Sequence, residues 1–241
     1  LEASPDVLER RPPAGVLDRA FAVLGCFSES RLRLHLRDFA QATSLDKATL
    51  LRLLGTLARH GYVQREEDGR YAPGPTPLRL GALYRATSDL TTRMPAVLQR
   101  VMQQTRESAA FYTRNGGDRV CLFRVNARRE LRHHVEVGDH VPLAEGGSSV
   151  HVLLAHTGGS TPLAAAVLAR GYAITRAERT PELASVSVPV FEGDGAFLGA
   201  LAVVGLGSRL TDAALLAAVD IAANELRSQG FFPRPPGPDS A

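Results

Sequence analysis

The residues best suited to chemistry lie between positions 46 and 60. On a helical wheel turned about 100° per residue, Leu50, Leu53, Leu54 and Leu57 share one side. Ala48, Arg52, Gly55 and Arg59 share the other, with Thr49 and Leu51 flanking them. That outer face carries no acidic side chain. A guanidinium there can fork across phosphate oxygens or a guanine edge. Small neighbours such as Ala48 and Gly55 permit close approach to a partner. Lys47 and Thr49 stand in the first helical turn, where free backbone amides also attract phosphate.

Other clusters promise less. His133-His134-Val135-Glu136 with Asp139-His140 resembles a metal site by count. Adjacent strand residues face opposite sides, so His133 and His134 do not share one ion. His151 and His156 lack the i, i+4 spacing of a zinc-binding helix. Gly146-Gly147-Ser148-Ser149-Val150 is no nucleophile elbow, because Val150 fills the last glycine position. There is no phosphate-binding loop of the GxxxxGK type and no GxGxxG motif. Glu192-Gly193-Asp194-Gly195 offers two carboxylates but reads as a hairpin turn. Cys26 and Cys121 are far apart in apolar surroundings and read as core residues. The expectation is therefore no catalytic residue, no metal and no cofactor.

The basic helix needs elements to present it. Apolar residues recur at helical spacing over 16–28, and 36–42 predicts a second short helix. Thr43-Ser44 offers a turn, and Ser44 or Asp46 a cap for a helix over 46–60, which Gly61 ends. Residues 62–65 and 70–72 flank an Asp-Gly turn and predict a hairpin. Helix, helix, turn, helix, hairpin is the order of a winged helix-turn-helix, whose last helix enters the major groove. Arg37 on the second helix and Arg65 and Arg70 on the hairpin add cations. Glu66, Glu67 and Asp68 at the hairpin tip oppose phosphate contact, so the wing's strands are expected to touch DNA.

Helices over 78–88 and 94–108 read as a linker. Strands are expected over 109–114, 119–126, 131–137, 184–191 and 196–206. Helices are expected over 147–156, 162–170 and 211–229, the last capped by Thr211. The fold class is α+β with a largely antiparallel sheet. The predicted division is a DNA-binding domain over 14–75, a linker helix over 76–93, a C-terminal domain over 94–229 and a disordered tail over 230–241. Residues 1–14 read as a loose arm.

Composition narrows the function. The chain has 241 residues, 44% hydrophobic and 22% charged, which excludes a disordered protein. No apolar run is long enough to span a bilayer and the polar start lacks a signal peptide's apolar stretch, so a soluble, cytoplasmic protein is expected. Net charge is +3, and 27 of 28 basic residues are arginine, Lys47 being the one lysine. Codon bias accounts for that ratio but not for the placement. Residues 31–85 hold ten basic and five acidic side chains, so positive charge gathers where the outer-face helix sits.

A run of motifs in order gives the sequence a family resemblance. Leu17-Asp18-Arg19-Ala20 with Val23-Leu24 comes first, then Leu36-Arg37-Asp38-Phe39-Ala40. Ser44-Leu45-Asp46-Lys47-Ala48-Thr49 leads into Arg52-Leu53-Leu54 and Thr56-Leu57. Gly61-Tyr62-Val63, Gly69-Arg70-Tyr71, and Gly74 with Leu78, Leu80 and Gly81 follow. Gly171-Tyr172, the run Ser185 to Val190 with Pro189, and Leu210-Thr211 complete the series. Over about residues 15–229 the sequence resembles the isocitrate-lyase-regulator (IclR) family of bacterial transcription factors. The resemblance implies a winged helix-turn-helix, a linker helix and a GAF-like effector domain. It implies homodimers or dimers of dimers on palindromic double-stranded DNA. Lys47, Ala48, Thr49 and Arg52 match the base and phosphate readers. The family's usual serine at position 48 and polar or aromatic group near Leu51 are missing, so a changed operator is expected, with Leu51 against a thymine methyl.

In the family, a loop after a proline–leucine pair binds the effector's carboxylate through backbone amides. The matching run here is Pro142 to Ser149, which carries over Leu143, Gly146, Gly147, Ser148 and Ser149. Such a glycine-rich approach to a helix N-terminus suits an anion. His151 stands near the family's usual lysine or arginine. Thr175, Ser185, Ser187, Ala202 and Val204 occupy further pocket positions, several of them less polar than the family pattern. The resemblance thus implies a small organic effector, larger and more apolar or aromatic than a two-carbon acid. Besides an effector-controlled regulator, two functions stay open: a regulator whose degenerate effector domain only oligomerises, and a metal-binding sensor or enzyme.

Overall fold

The structure, a computed structural model, describes residues 15–28, 30–86, 89–127, 135–159 and 162–235. The chain divides into two units between Thr87 and Ser88.

The first unit opens with α1 (Val16–Leu24), whose first turn holds Asp18 accepting the Gly15 amide at 3.1 Å. The helix ends at Gly25, earlier than the apolar pattern suggests, because Cys26 and Phe27 turn inward. In α2 (Leu36–Thr43), Asp38 accepts the His35 amide at 2.7 Å. Ser44 then takes a left-handed conformation, φ 57°, which turns the chain sharply into the next helix. In α3 (Lys47–Arg59), the cap is Asp46, whose carboxylate accepts the Thr49 amide at 2.9 Å. That bond and the helix's positive end hold the Asp46 pKa below the usual range. The wing is short, β1 (Val63–Arg65) against β2 (Tyr71–Pro73), antiparallel. Leu34 exchanges both backbone bonds with Tyr71, an added rung that the sequence pattern does not reveal. Val23, Phe39, Leu50, Leu54 and Val63 form the core, with Phe39 edge-on to Tyr71 at 6.0 Å. The unit ends with α4 (Thr76–Ala86).

The second unit opens with α5 (Leu90–Thr105). The sequence reading finds 94–108 linker-like yet starts the C-terminal domain at 94; the whole helix, from Leu90 on, belongs to the second unit. Leu90, Met94, Val97, Leu98 and Val101 are all buried against the sheet. The strands are β3 (Ser108–Asn115), β4 (Asp118–Val125), β5 (His140–Pro142), β6 (Ala173–Arg176), β7 (Leu183–Phe191) and β8 (Phe197–Leu206). Among the described residues they form one antiparallel sheet in the order β5-β4-β3-β8-β7-β6. Residues 131–134 of the expected strand over 131–137 lie outside the described residues, and 135–137 are not strand. β5 and β6 are too short to show a periodic signal and are unexpected.

Strand alternation sorts the side chains between two layers. Phe111, Val186, Val188, Leu201 and Val203 face α5 and α8 (Asp212–Ser228). Ala110, Tyr112, Cys121, Ala200 and Ala202 face the side of α6 (Ser148–His156) and α7 (Pro162–Arg170). Thr211 caps α8 by accepting the Ala214 amide at 3.2 Å. The tail reading is also corrected for residues 230–235. Phe231 is fully buried, Phe232 pairs with Phe191 through two backbone bonds, and Arg93 lies over the Phe231 ring at 4.1 Å. Two adjacent aromatics outweigh the surrounding prolines, because their burial anchors the segment.

Candidate nucleic-acid interface and effector cleft

The α3 helix buries Leu50, Leu53 and Leu54 and exposes Lys47, Ala48, Leu51, Arg52, Gly55 and Arg59. Thr49 is half-buried, and its amide is committed to Asp46. Among the described residues, Lys47 and Arg52 have no acidic partner within 4 Å. Arg59 donates to Thr56 Oγ1 at 3.2 Å, one turn back. Arg37 is exposed on α2, 3.8 Å from Asp38. On the wing, Arg65 is exposed and lies over the Tyr71 ring at 5.9 Å. Arg70 is different. Its Nε donates to Asp68 at 2.6 Å, and Glu66 is 3.9 Å away. Glu66 in turn accepts from Arg33 at 2.7 Å. The acidic tip thus neutralises its own neighbours, a pairing that spacing alone does not show.

In the second unit the sheet register collects the expected pocket positions. Thr175 lies opposite Ser185, and Ser185 opposite Val204. Ser187 lies opposite Ala202 one step along. Gly147, Ser148, Ser149, Thr175, Ser185, Ala202 and Val204 line one cleft together with Tyr112, Arg119, Glu178 and Leu183. Its volume is about 40 Å³. Leu143, Gly146, His151 and Ser187 stand outside that lining, the last three each bonded to a residue within it. Leu143 starts a 3-10 turn beneath the loop. Gly146, at φ 71°, turns its carbonyl to Arg119, and Ser187 bonds Ser148 at 2.7 Å.

The lining is more polar than the sequence suggests. Ser148 Oγ is 2.8 Å from Ser185 Oγ, which is 2.9 Å from Thr175 Oγ1. Glu178 accepts the Gly147 amide at 3.1 Å and bonds His151 Nε2 at 2.9 Å. Arg119 is buried, 4% exposed, with the Tyr112 ring 5.3 Å away. Its Nη1 donates to Ser149 Oγ at 2.7 Å and to the Gly146 carbonyl at 3.1 Å. Burial lowers the Arg119 pKa and raises that of Tyr112. The sequence reading misses Arg119. A signal exists, because Arg119 shares its strand face with Cys121, which is already read as core. The two cysteines are free and buried, and burial pushes the Cys121 thiol up to about 11. His133 and His134 lie outside the described residues, and among those described no cluster of three metal-ligating side chains occurs. No described helix is long and apolar enough to cross a membrane.

A winged helix-turn-helix with an open basic helix, on one chain with a helix-flanked antiparallel sheet, defines a two-part transcriptional regulator. Residues 16–67 match the IclR helix-turn-helix domain, and residues 162–227 match the bacterial transcriptional regulator IclR C-terminal domain. Both parts of the chain thus match domains of the IclR family of transcriptional regulators. It is 29% identical to the HTH-type transcriptional regulator BhcR of Paracoccus denitrificans, over 90% of this chain and 88% of that one. An IclR transcriptional regulator from a Silicibacter species is 27% identical, with TM-score 0.60, covering 88% of this chain and 96% of that one. An IclR homologue of Microbacterium hydrocarbonoxydans, solved with 4-hydroxybenzoate, shares the fold at 21% identity and TM-score 0.67, covering 89% of this chain and all of that one (100%).

Proposed function

We propose that the protein binds a palindromic operator as a homodimer or dimer of dimers, and that a small organic effector in the second unit sets its DNA affinity. The observation carrying the DNA half is the α3 outer face, exposed, free of acidic groups and bearing Lys47, Arg52 and Arg59, none with an acidic partner among the described residues. Lys47, Ala48, Thr49 and Arg52 read bases and phosphates, and Leu51 meets a thymine methyl. Arg37, Arg59 and Arg65 hold phosphates.

Pairing of two chains rests on apolar surface in the first unit. Leu17 and Phe21 on α1 are 72% and 66% exposed, and Leu80, Leu83 and Tyr84 on α4 are exposed at helical spacing. Such surface marks an interface. One α3 reads few base pairs, so two-fold pairing supplies the second half-site. Light scattering checks this: a monomer at micromolar concentration refutes it. Selection of retained genomic fragments, followed by titration at several salt concentrations, tests the DNA reading. Log affinity should fall linearly with log salt on a fragment containing an inverted repeat.

Effector control is supported by the polar lining beside Tyr112, Leu183 and Val204, and by the fold shared with the 4-hydroxybenzoate complex. A thermal-shift panel of aromatic and aliphatic acids tests it, since a ligand stabilises the state it binds. One observation favours a second reading, in which this unit only assembles chains. The cleft's volume of about 40 Å³ is well below the roughly 300–1,000 Å³ of ordinary ligand sites. A panel without any shift decides for that reading.

A further inference from the structure

The anion-binding turn of the cleft already holds a carboxylate, and it belongs to the protein. Glu178 accepts the Gly147 amide through Oε2 and bonds His151 through both oxygens, at 2.9 and 3.1 Å. Its carboxylate lies so close to Gly146 that a Cβ there would meet Oε1 at 2.8 Å. On the other side of the same turn, a Cβ on Gly147 would meet Arg119 Nη1 at 3.0 Å. The two glycines therefore separate a carboxylate from a buried guanidinium. Among the described residues, Glu178 and Arg119 form no ion pair, and Arg119 Nε is buried without a partner. Glu145, the other acid nearby, is held by Arg179 at 2.7 Å.

A buried guanidinium bonded only to neutral oxygens is costly, and a carboxylate relieves it with strong paired bonds. Glu178 does not do so. It reaches the turn from the segment after β6, where Ala177 has φ 53° and the side chain is partly exposed. A free carboxylate has no such tether. We propose that the cleft takes a monocarboxylate whose carboxylate displaces Glu178 from the Gly146–Gly147 turn and pairs with Arg119, Glu178 being the resident plug of the unliganded state. The ligand's body then lies against Leu183, Ala202 and Val204, and the cleft widens as Glu178 leaves. Displacement costs two hydrogen-bonded contacts at the rim and gains the counter-ion that Arg119 lacks. The exchange leaves the cleft's net charge unchanged.

This inference rests on the effector reading and deepens it, but its test is separate. Glu178→Ala vacates the turn. Acetate and benzoate at tens of millimolar should then raise the melting temperature of E178A by several degrees more than that of the unsubstituted chain. Acetamide and benzamide should not. Adding Arg119→Met, which removes the guanidinium and keeps an apolar stem, should abolish the carboxylate-specific gain. Should E178A fail to fold, Glu178→Gln keeps the Gly147 bond but loses the charge. Calorimetry should then show benzoate binding E178Q about fivefold tighter than the unsubstituted chain. Equal responses to acids and amides, equal responses with and without Glu178, or a gain that survives Arg119→Met overturn the proposal. An unsubstituted chain silent to every ligand beside a carboxylate-responsive E178A overturns displacement and retires the effector reading, leaving Glu178 a fixed occupant of the turn.

Discussion

Arg70 Nε donates to Asp68 at 2.6 Å across the tip of the wing, whereas Arg65, on the opposite strand, only overlies the Tyr71 ring. Two arginines of one hairpin are therefore unequal. Arg70 must give up Asp68 before it reaches a phosphate, and Arg65 need give up nothing ionic. Arg70→Ala should weaken operator binding by only about threefold or less, the scale of an exposed ion pair. Arg65→Ala should lower the salt slope by about one unit, one released counterion. Asp68→Asn should strengthen binding by freeing Arg70. Titrations of the three variants at two salt concentrations check the ranking, and a larger loss for R70A than for R65A reverses it.

Arg52 projects from the middle of α3's exposed face, one turn after the capped N-terminus. A guanidinium on a base edge contributes to one sequence and little to others. Arg52→Ala should cost about 1–3 kcal/mol on the operator. On unrelated DNA it should cost only one charge contact. Parallel loss on both substrates would falsify base reading and leave Arg52 a phosphate contact.

The helix-turn-helix was legible because its signals are local. Leucine spacing, an aspartate cap and a glycine stop all act within α3, whose ends differ from the expected ones by one residue each, whereas α1 stops four residues short of its apolar pattern. The cleft was legible only in part. Thr175, Ser185 and Val204 meet through sheet register, which couples residues 10 and 19 positions apart and leaves no local trace. Glu178 and Arg119 stand on separate segments, so their shared turn emerges only when β4 is placed in the sheet. Phe231 was missed for the opposite reason. Its prolines gave a strong local signal, and tertiary burial overrode it.

Glu107 and Arg209 lock the start of β3 to the start of α8. Both Arg209 bonds are short, Nε at 2.7 Å and Nη2 at 2.9 Å, and the Glu107 side chain is 6% exposed. Gly205 makes room for the carboxylate, since a Cβ there would collide with it. The bond raises the Arg209 pKa. Arg209→Met strips a cation from a buried carboxylate. It should destabilise the chain by about 2–3 kcal/mol, less than for a fully buried pair because Arg209 is partly exposed. Urea denaturation measures this. Adding Glu107→Gln should recover most of the loss, and a double variant as unstable as R209M would show that the pair's charge is irrelevant.

His156 ends α6 between two aromatic rings. It stacks on Phe197 at 4.9 Å and meets Phe191 edge-on at 5.1 Å. Its Nε2 is buried without a partner, and burial lowers its pKa from the ordinary 6.5. The folded state therefore resists protonation more than the unfolded chain does. Near neutral pH and above, neither state is charged and the site has no pH dependence. As pH falls through 6.5 toward the lowered folded value, the unfolded state binds the proton first and stability declines. His156→Phe keeps the aromatic contacts and removes the proton site. Its melting temperature should fall less between pH 7 and pH 5 than that of the unsubstituted chain, the other titrating groups being common to both. Parallel pH profiles for the two proteins would remove His156 from the acid sensitivity.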